Sequence, residues 1–192
     1  MIRYLILITL LQWSAGLLAQ KPGAHCHGVK KQDYRRVQAQ YPIPGVNLRD
    51  RHDRSITLTH ALDHDGPVLL QFIFTTCPTV CPLLTGMLAG ATGKVPPTVR
   101  MVSITIDPEH DTPAVLARYA AEHNAGPNWR FLTGDAASIK ATQQAFDAWR
   151  ENKMQHIPLT FLRMDPQGPW LRFEGFMSPT ELAAEFHKAT AP

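Results

Sequence analysis

Two cysteines stand four positions apart in the stretch Phe72-Ile-Phe-Thr-Thr-Cys-Pro-Thr-Val-Cys-Pro82, each followed by proline. A Cys-x-x-Cys spacing points to thiol–disulfide exchange of the thioredoxin kind, but Cys77 and Cys81 enclose one residue more. Proline lacks a backbone donor and fits a helix only in its first turn, so Pro82 sets a helix start close to Cys81. Both sulfurs are then expected at a helix N-terminus, where the partial positive charge favours thiolate. Thiolates are soft ligands that select Cu(I) and zinc over hard cations. Residues four apart in a helical turn have α-carbons about 6 Å apart, still within disulfide range. The pair can therefore hold a soft metal ion or close on itself as a redox disulfide, and the widened loop leaves room for an ion. The plain alternative is a structural bridge, which gains little from closing so short a loop.

Other residues with metal-ligand chemistry are scattered. His25, Cys26 and His27 form a three-residue cluster of soft-metal donors near the N-terminus; the plain reading is an incidental cysteine on a tail. His110 lies in a loop after the strand-like Arg100 to Ile106 and is a candidate ligand by position. Asp107 and Asp111 could orient ligands, but turn and cap duties account for them, and His60 and His64 bracket a turn. Trp129, Phe146 and Trp149 read as packing residues. No Gly-rich phosphate loop and no Ser/His/Asp set is present.

The elements that must position the cysteines alternate along the chain. Ser55 to Leu62 reads as a short strand or hairpin arm, and Val68 to Phe74 as a strand covered on both faces. A helix is expected over Val80 to Gly93, then a strand at Arg100 to Ile106 and a helix opened by Thr112-Pro113. Trp129 to Leu132 is a further strand, and Asp135 caps a helix running to about Trp149. Leu159 to Met164 and Trp170 to Phe176 are joined by the turn sequence Asp165-Pro-Gln-Gly168, which makes an antiparallel hairpin. Ser178-Pro-Thr-Glu181 is a capping box that opens a last helix. The order βαβαβα then ββα predicts an α/β class, thioredoxin-like fold: a mixed central sheet flanked by helices, preceded by a β-hairpin extension. Parallel strands end on one sheet edge, and the loops after Phe74 and Ile106 share it.

The 192 residues suffice for one buried domain plus a tail, and 44% hydrophobic with 18% charged content excludes a disordered chain. A formal charge of +3, with no basic stripe interleaved with aromatics, gives no case for nucleic acid. Arg3 precedes the apolar run Tyr4 to Leu11, and small residues follow near Ala19. That is the layout of a signal peptide or N-terminal membrane anchor over residues 1–19, too short for an ordinary span of about 20 residues. A basic linker is expected over 20–40 and a thioredoxin-like domain over 41–192. Export, to a periplasm or the outer face of a cytoplasmic membrane, would favour oxidised cysteines.

The segments "FIFTTCPTVCP", "VSITIDPEHDTP", "NWRFLTGD" and "HIPLTFLRMDPQG" together resemble the Sco/SenC family of copper chaperones for cytochrome oxidase assembly. The resemblance runs from about Tyr41 to Phe186. It implies a thioredoxin-like fold and copper, Cu(I) and Cu(II), held by Cys77, Cys81 and a distant histidine. It also implies delivery to the binuclear copper centre of cytochrome c oxidase subunit II, with an upstream copper chaperone as a further partner. The family's histidine falls on His156. The family's acidic residue before it is Gln155 here, its Ser or Thr after it is Ile157, and Pro158 follows. Ile157-Pro158 resembles the cis-proline loop of thioredoxin-like reductases. The rival expectation is therefore a thiol–disulfide oxidoreductase that keeps the oxidase's copper-site cysteines reduced; a peroxidase-like thiol enzyme lacks an activating constellation.

Overall fold

Strands alternate with helices along residues 34–190, the part of the chain that the computed structural model describes. First come β1 (Arg35–Ala39), β2 (Asn47–Asp50), β3 (Ser55–Thr57) and a short helix, α1 (Leu58–Leu62). Then follow β4 (Val68–Ile73), α2 (Val80–Ala91), β5 (Arg100–Thr105), α3 (Pro113–Glu122), β6 (Trp129–Gly134) and α4 (Ala136–Ala145). A 3-10 turn at Lys153–Gln155, β7 (Leu159–Arg163), β8 (Trp170–Glu174) and α5 (Pro179–Thr190) complete the order.

The strands form one eight-stranded sheet in the order β1-β8-β7-β4-β5-β6-β2-β3. β4, β5 and β6 are parallel, and β7 pairs antiparallel with β4 in the register Gln71↔Thr160. Every residue of β4 is buried, because successive side chains point to opposite faces and both faces are covered. Leu69 and Ile73 enter a core shared with α2, α3 and α5, while Val68, Leu70 and Phe72 enter one shared with α1 and α4. Gln71 is the polar exception. Its Nε2 donates to Ser103 Oγ at 2.9 Å and, more weakly, to Thr85 Oγ1 at 3.4 Å. Trp129 Nε1 also donates to Ser103 Oγ, and the Thr85 and Tyr119 hydroxyls lie 2.9 Å apart. Thr85 lies one turn beyond Cys81 on α2, so this buried network fixes the rotation of the helix that carries the second cysteine. A buried donor left without a partner costs about 1–3 kcal/mol, which makes the alternative rotations unfavourable.

Three stretches differ from the sequence reading. The linker expected over 20–40 ends within a strand: β1 pairs antiparallel with β8, Arg35 Nε donates to Glu174 at 2.8 Å and Tyr34 Oη donates to Glu185 at 2.8 Å. Its charged residues, which hid the strand, are what an edge strand carries against unwanted pairing. The strand expected over Ser55 to Leu62 stops at Thr57, whose Oγ1 accepts from His60 N at 3.1 Å and caps α1. The helix expected to reach Trp149 ends at Ala145, and Asp147 then adopts a positive φ of 53°. The hairpin β2–β3, the hairpin β7–β8 and the Ser178 capping box are present, with Ser178 N donating to Glu181 Oε2 at 2.8 Å and Glu181 N to Ser178 Oγ at 3.1 Å. Residues 1–19 lie outside the described residues; among those described, no helix is long and apolar enough to cross a membrane.

Helices α2 and α5 meet at Gly90, where an added Cβ would come within 2.7 Å of Pro179 Cγ and 3.2 Å of its Cβ. Alanine in a helix interior is worth about 1 kcal/mol over glycine, whereas forcing packed elements apart costs about 1–3 kcal/mol. Gly90→Ala is expected to lower stability by about 1 kcal/mol net, read as a lower urea midpoint. A raised midpoint would show that the α5 start yields freely.

Candidate metal centre

β4 runs out at Ile73, and a short loop carries the chain to α2 at Val80. Thr79, at the N-cap, makes no side-chain capping bond. The sulfur of Cys77 takes over that role: Cys81 N–H reaches Cys77 Sγ at 3.4 Å, and the N–H groups of Thr79 and Val80 are aimed at it as well. Cys81 Sγ accepts in turn from Phe74 N at 3.3 Å. Both cysteines are buried free thiols.

Their electrostatics differ, where the sequence reading expected thiolate at both. Burial pushes the Cys77 thiol up, but the N–H groups of Cys81, Thr79 and Val80, together with the Cys81 thiol, outweigh it and hold the pKa below the usual thiol range. Burial pushes Cys81 far above that range, only partly opposed by the Phe74 N–H, and negative charge on Cys77 and Asp111 raises it further. Cys81 is the second sulfur of the helix start but lies inside the core, with no exposed surface. Desolvation therefore wins over the helix terminus. Cys77 carries the first negative charge, and Cys81 donates its proton toward it.

Asp111 holds this loop in place. Its fully buried carboxylate accepts from Thr75 N at 3.1 Å, from Thr75 Oγ1 at 2.6 Å and from Thr105 Oγ1 at 2.5 Å. It thus joins the ends of β4 and β5 to the start of α3. Sequence reasoning had given Asp111 a turn or cap duty, but Thr112 caps α3 by accepting from Val115 N at 3.4 Å. That surplus carboxylate beside an already capped helix was the available signal. Asp107, its neighbour, accepts from Lys153 Nζ at 2.6 Å, and Lys153 also lies 5.7 Å from the Phe74 ring centroid. The 3-10 turn before His156 is thereby tethered to the sheet edge that carries the cysteines.

His156 follows that turn and is 8% exposed. Its Nε2 is buried without a hydrogen-bond partner among the described residues. Burial pushes the imidazole pKa down to about 4, slightly opposed by the Phe72 backbone and reinforced by Arg150. The ring is therefore neutral near pH 7, with a nitrogen lone pair that no protein donor occupies. Two sulfurs and one such imidazole are a donor set that suits a soft or borderline ion. Cys77 and Cys81 stand together at the start of α2, and His156 does not close a three-ligand group with them. Among the described residues, no three of His, Cys, Asp and Glu stand close enough to hold a metal ion. His110 is exposed in the turn after β5 and likewise closes no three-ligand group with the pair. His25, Cys26 and His27 lie outside the described residues. Ile157–Pro158 is trans, unlike the cis-proline loop that its sequence resembles.

A histidine buried neutral has a stability signature of fixed sign. Its folded pKa of about 4 lies below the ordinary 6.5, so the unfolded chain takes up a proton first as pH falls. The stabilisation is complete above 6.5 and is lost as pH falls toward 4, by about 3 kcal/mol at the lower end. His156→Leu in metal-free protein is expected to flatten urea-measured stability across that window. An unchanged slope would place the acid sensitivity elsewhere.

A family model for SCO1/SenC matches residues 48–191. The SCO1 protein homolog of Bacillus subtilis is 39% identical over 36% of this chain; the aligned stretch covers 38% of that relative's own length. Two solved structures share the thioredoxin-like sheet. Arabidopsis thaliana ScoI with copper bound has TM-score 0.65 at 26% identity, over 77% of this chain and 97% of that one. Bradyrhizobium japonicum ScoI with copper bound has TM-score 0.59 at 27% identity, over 78% and 99%. Matched by that model from β2 to the end of α5, with its paired thiols where β4 runs into α2, the chain belongs to the SCO1/SenC family.

Proposed function

We propose that this protein is an exported copper carrier that serves the assembly of cytochrome c oxidase. In this reading Cys77 and Cys81 hold Cu(I), and His156 joins them and makes Cu(II) acceptable too. The observation that carries it is the thiol pair seated at the α2 N-terminus, with Cys77 already held toward thiolate by three backbone N–H groups. The partnerless Nε2 of His156 supports the third ligand, as does the Lys153–Asp107 tether that keeps its turn at the same edge. Copper bound in the Arabidopsis and Bradyrhizobium relatives supports the choice of ion. An upstream chaperone loads the pair, and the copper passes by thiolate-for-thiolate exchange to the cysteines of the binuclear centre in oxidase subunit II. Loading expels the Cys81 proton, so affinity rises with pH. The site of action is the periplasm or the outer face of a cytoplasmic membrane.

One observation favours a second reading. A first thiol shifted down and a second shifted up is the asymmetry that a dithiol reductase uses. Burial of both sulfurs counts against it, because a substrate disulfide must reach the attacking thiolate.

The full chain carrying Cys26→Ser, reduced, is expected to bind one Cu(I) in competition with a chromogenic chelator. Cys77→Ser and Cys81→Ser should each abolish that binding, and His156→Ala should weaken Cu(II) at least tenfold while weakening Cu(I) less. Stoichiometric copper at this site in the double serine variant would overturn the reading. The Cu(II) effect arising from His110→Ala and not from His156→Ala would move the third ligand. Fast turnover of a generic disulfide, with copper binding unaffected by the histidine change, would favour the reductase.

A further inference from the structure

At the sheet end opposite the cysteines, where β5 and β6 begin, two cavities of opposite chemistry share a wall. One, of about 490 Å³, is lined by Val95, Pro97, Val99 and Met101. The other, of about 370 Å³, is lined by Arg51, His52, Arg54, His60 and Arg130, with Asp50 its one acidic residue. Pro127 and Trp129 belong to both. Both volumes lie in the range of about 300–1,000 Å³ usual for small-molecule sites.

The charge in the second cavity is not neutralised within the domain. Arg54 is held by Asp50 at 2.6 Å, but among the described residues Arg51 and Arg130 make no salt bridge. Arg51 lies over the Phe131 ring at 6.0 Å, and Phe131 stacks on Trp129 at 5.2 Å. Arg130 is anchored from behind, donating to the His60 carbonyl at 3.3 Å. An aromatic floor thus runs from beneath the Arg51 guanidinium, whose Nε donates to His52 Nε2 at 3.3 Å, into the apolar cavity.

We propose that this end of the domain binds one anionic single-chain amphiphile, its carboxylate or phosphate head between Arg51 and Arg130 and its acyl chain along Val99, Met101 and Trp129. The planar guanidinium matches either oxyanion head, and the neighbouring apolar walls supply what a free inorganic anion would not use. The shape favours a single molecule over a bilayer surface. Bilayer insertion needs protruding apolar side chains, and the exposed large ones among the described residues are Leu83 and Met154, beside Cys81 and His156 at the other end. The inference is independent of the copper reading.

The test is calorimetric titration of the full chain with sodium dodecanoate below its micelle concentration, with dodecanol as the uncharged control and phosphatidylglycerol vesicles as the membrane control. Dodecanoate is expected to bind at one per chain and at least tenfold tighter than dodecanol. Arg51→Gln with Arg130→Gln should weaken dodecanoate at least tenfold and remove the preference over dodecanol. Gly126 also lines the apolar cavity, and an added Cβ there meets no atom within 4 Å. Gly126→Phe should therefore fill the cavity and weaken both ligands. Circular dichroism checks that each variant is folded, and the surface arginine pair keeps the test standing if the glycine variant is not. Equal binding of dodecanol and dodecanoate, affinity unmoved by the arginine pair, or binding to vesicles alone would each overturn the proposal.

Discussion

A carboxylate with no exposed surface sits at the point where two parallel strands end and a helix begins, and three donors, from the loop after β4 and the last residue of β5, converge on it. Asp111 accepts from the backbone and hydroxyl of Thr75 and from the hydroxyl of Thr105. A buried charge left without such partners costs several kcal/mol, so the ends of β4 and β5 and the start of α3 are held in one arrangement. The loop that begins at Thr75 reaches Cys77 two residues later. The position of the thiol pair therefore depends on a residue that belongs to neither its loop nor its helix.

The same arrangement divides the proton between two chemically identical side chains. Cys77 lies at the mouth of α2 and collects N–H groups that have no helical partner; Cys81, one turn in, is surrounded by core residues and faces the negative charge of Asp111. Position along one helical turn decides which sulfur is charged first. The polar network of Gln71, Ser103, Thr85 and Tyr119 keeps α2 from rotating, which would exchange these environments. On the His156 side the preceding turn is tied to the sheet through Lys153, which pairs with Asp107 and lies over the Phe74 ring. A half-exposed ion pair of this kind contributes about 1 kcal/mol or less.

Much of the fold was legible because its signals are local. The apolar run of β4, the turn Asp165-Pro-Gln-Gly168 and the Ser178 capping box act over a few residues, and local chemistry is written in consecutive letters. β1 was hidden because an edge strand needs no apolar alternation, only an open partner in β8. The end of α4 was misplaced because Asp147 adopts a positive φ that its residue type permits but does not demand.

For the site, the sequence by itself determined the donor types, the four-residue step between Cys77 and Cys81, and the helix start that Pro82 enforces. It could not determine that the two thiols titrate apart, because desolvation depends on what packs around Cys81 from distant strands. It marked Asp111 only as a surplus carboxylate beside a capped helix and could not name its partners, which lie 36 and 6 residues away. That His156 does not close a three-ligand group with the sulfurs, and that Arg51 and Arg130 line one cavity, were likewise decided only when the sheet brought β2 beside β6 and β7 beside β4. Covalent order fixes which groups are present, but distance and dielectric, which set their charge and pairing, exist only in the folded chain.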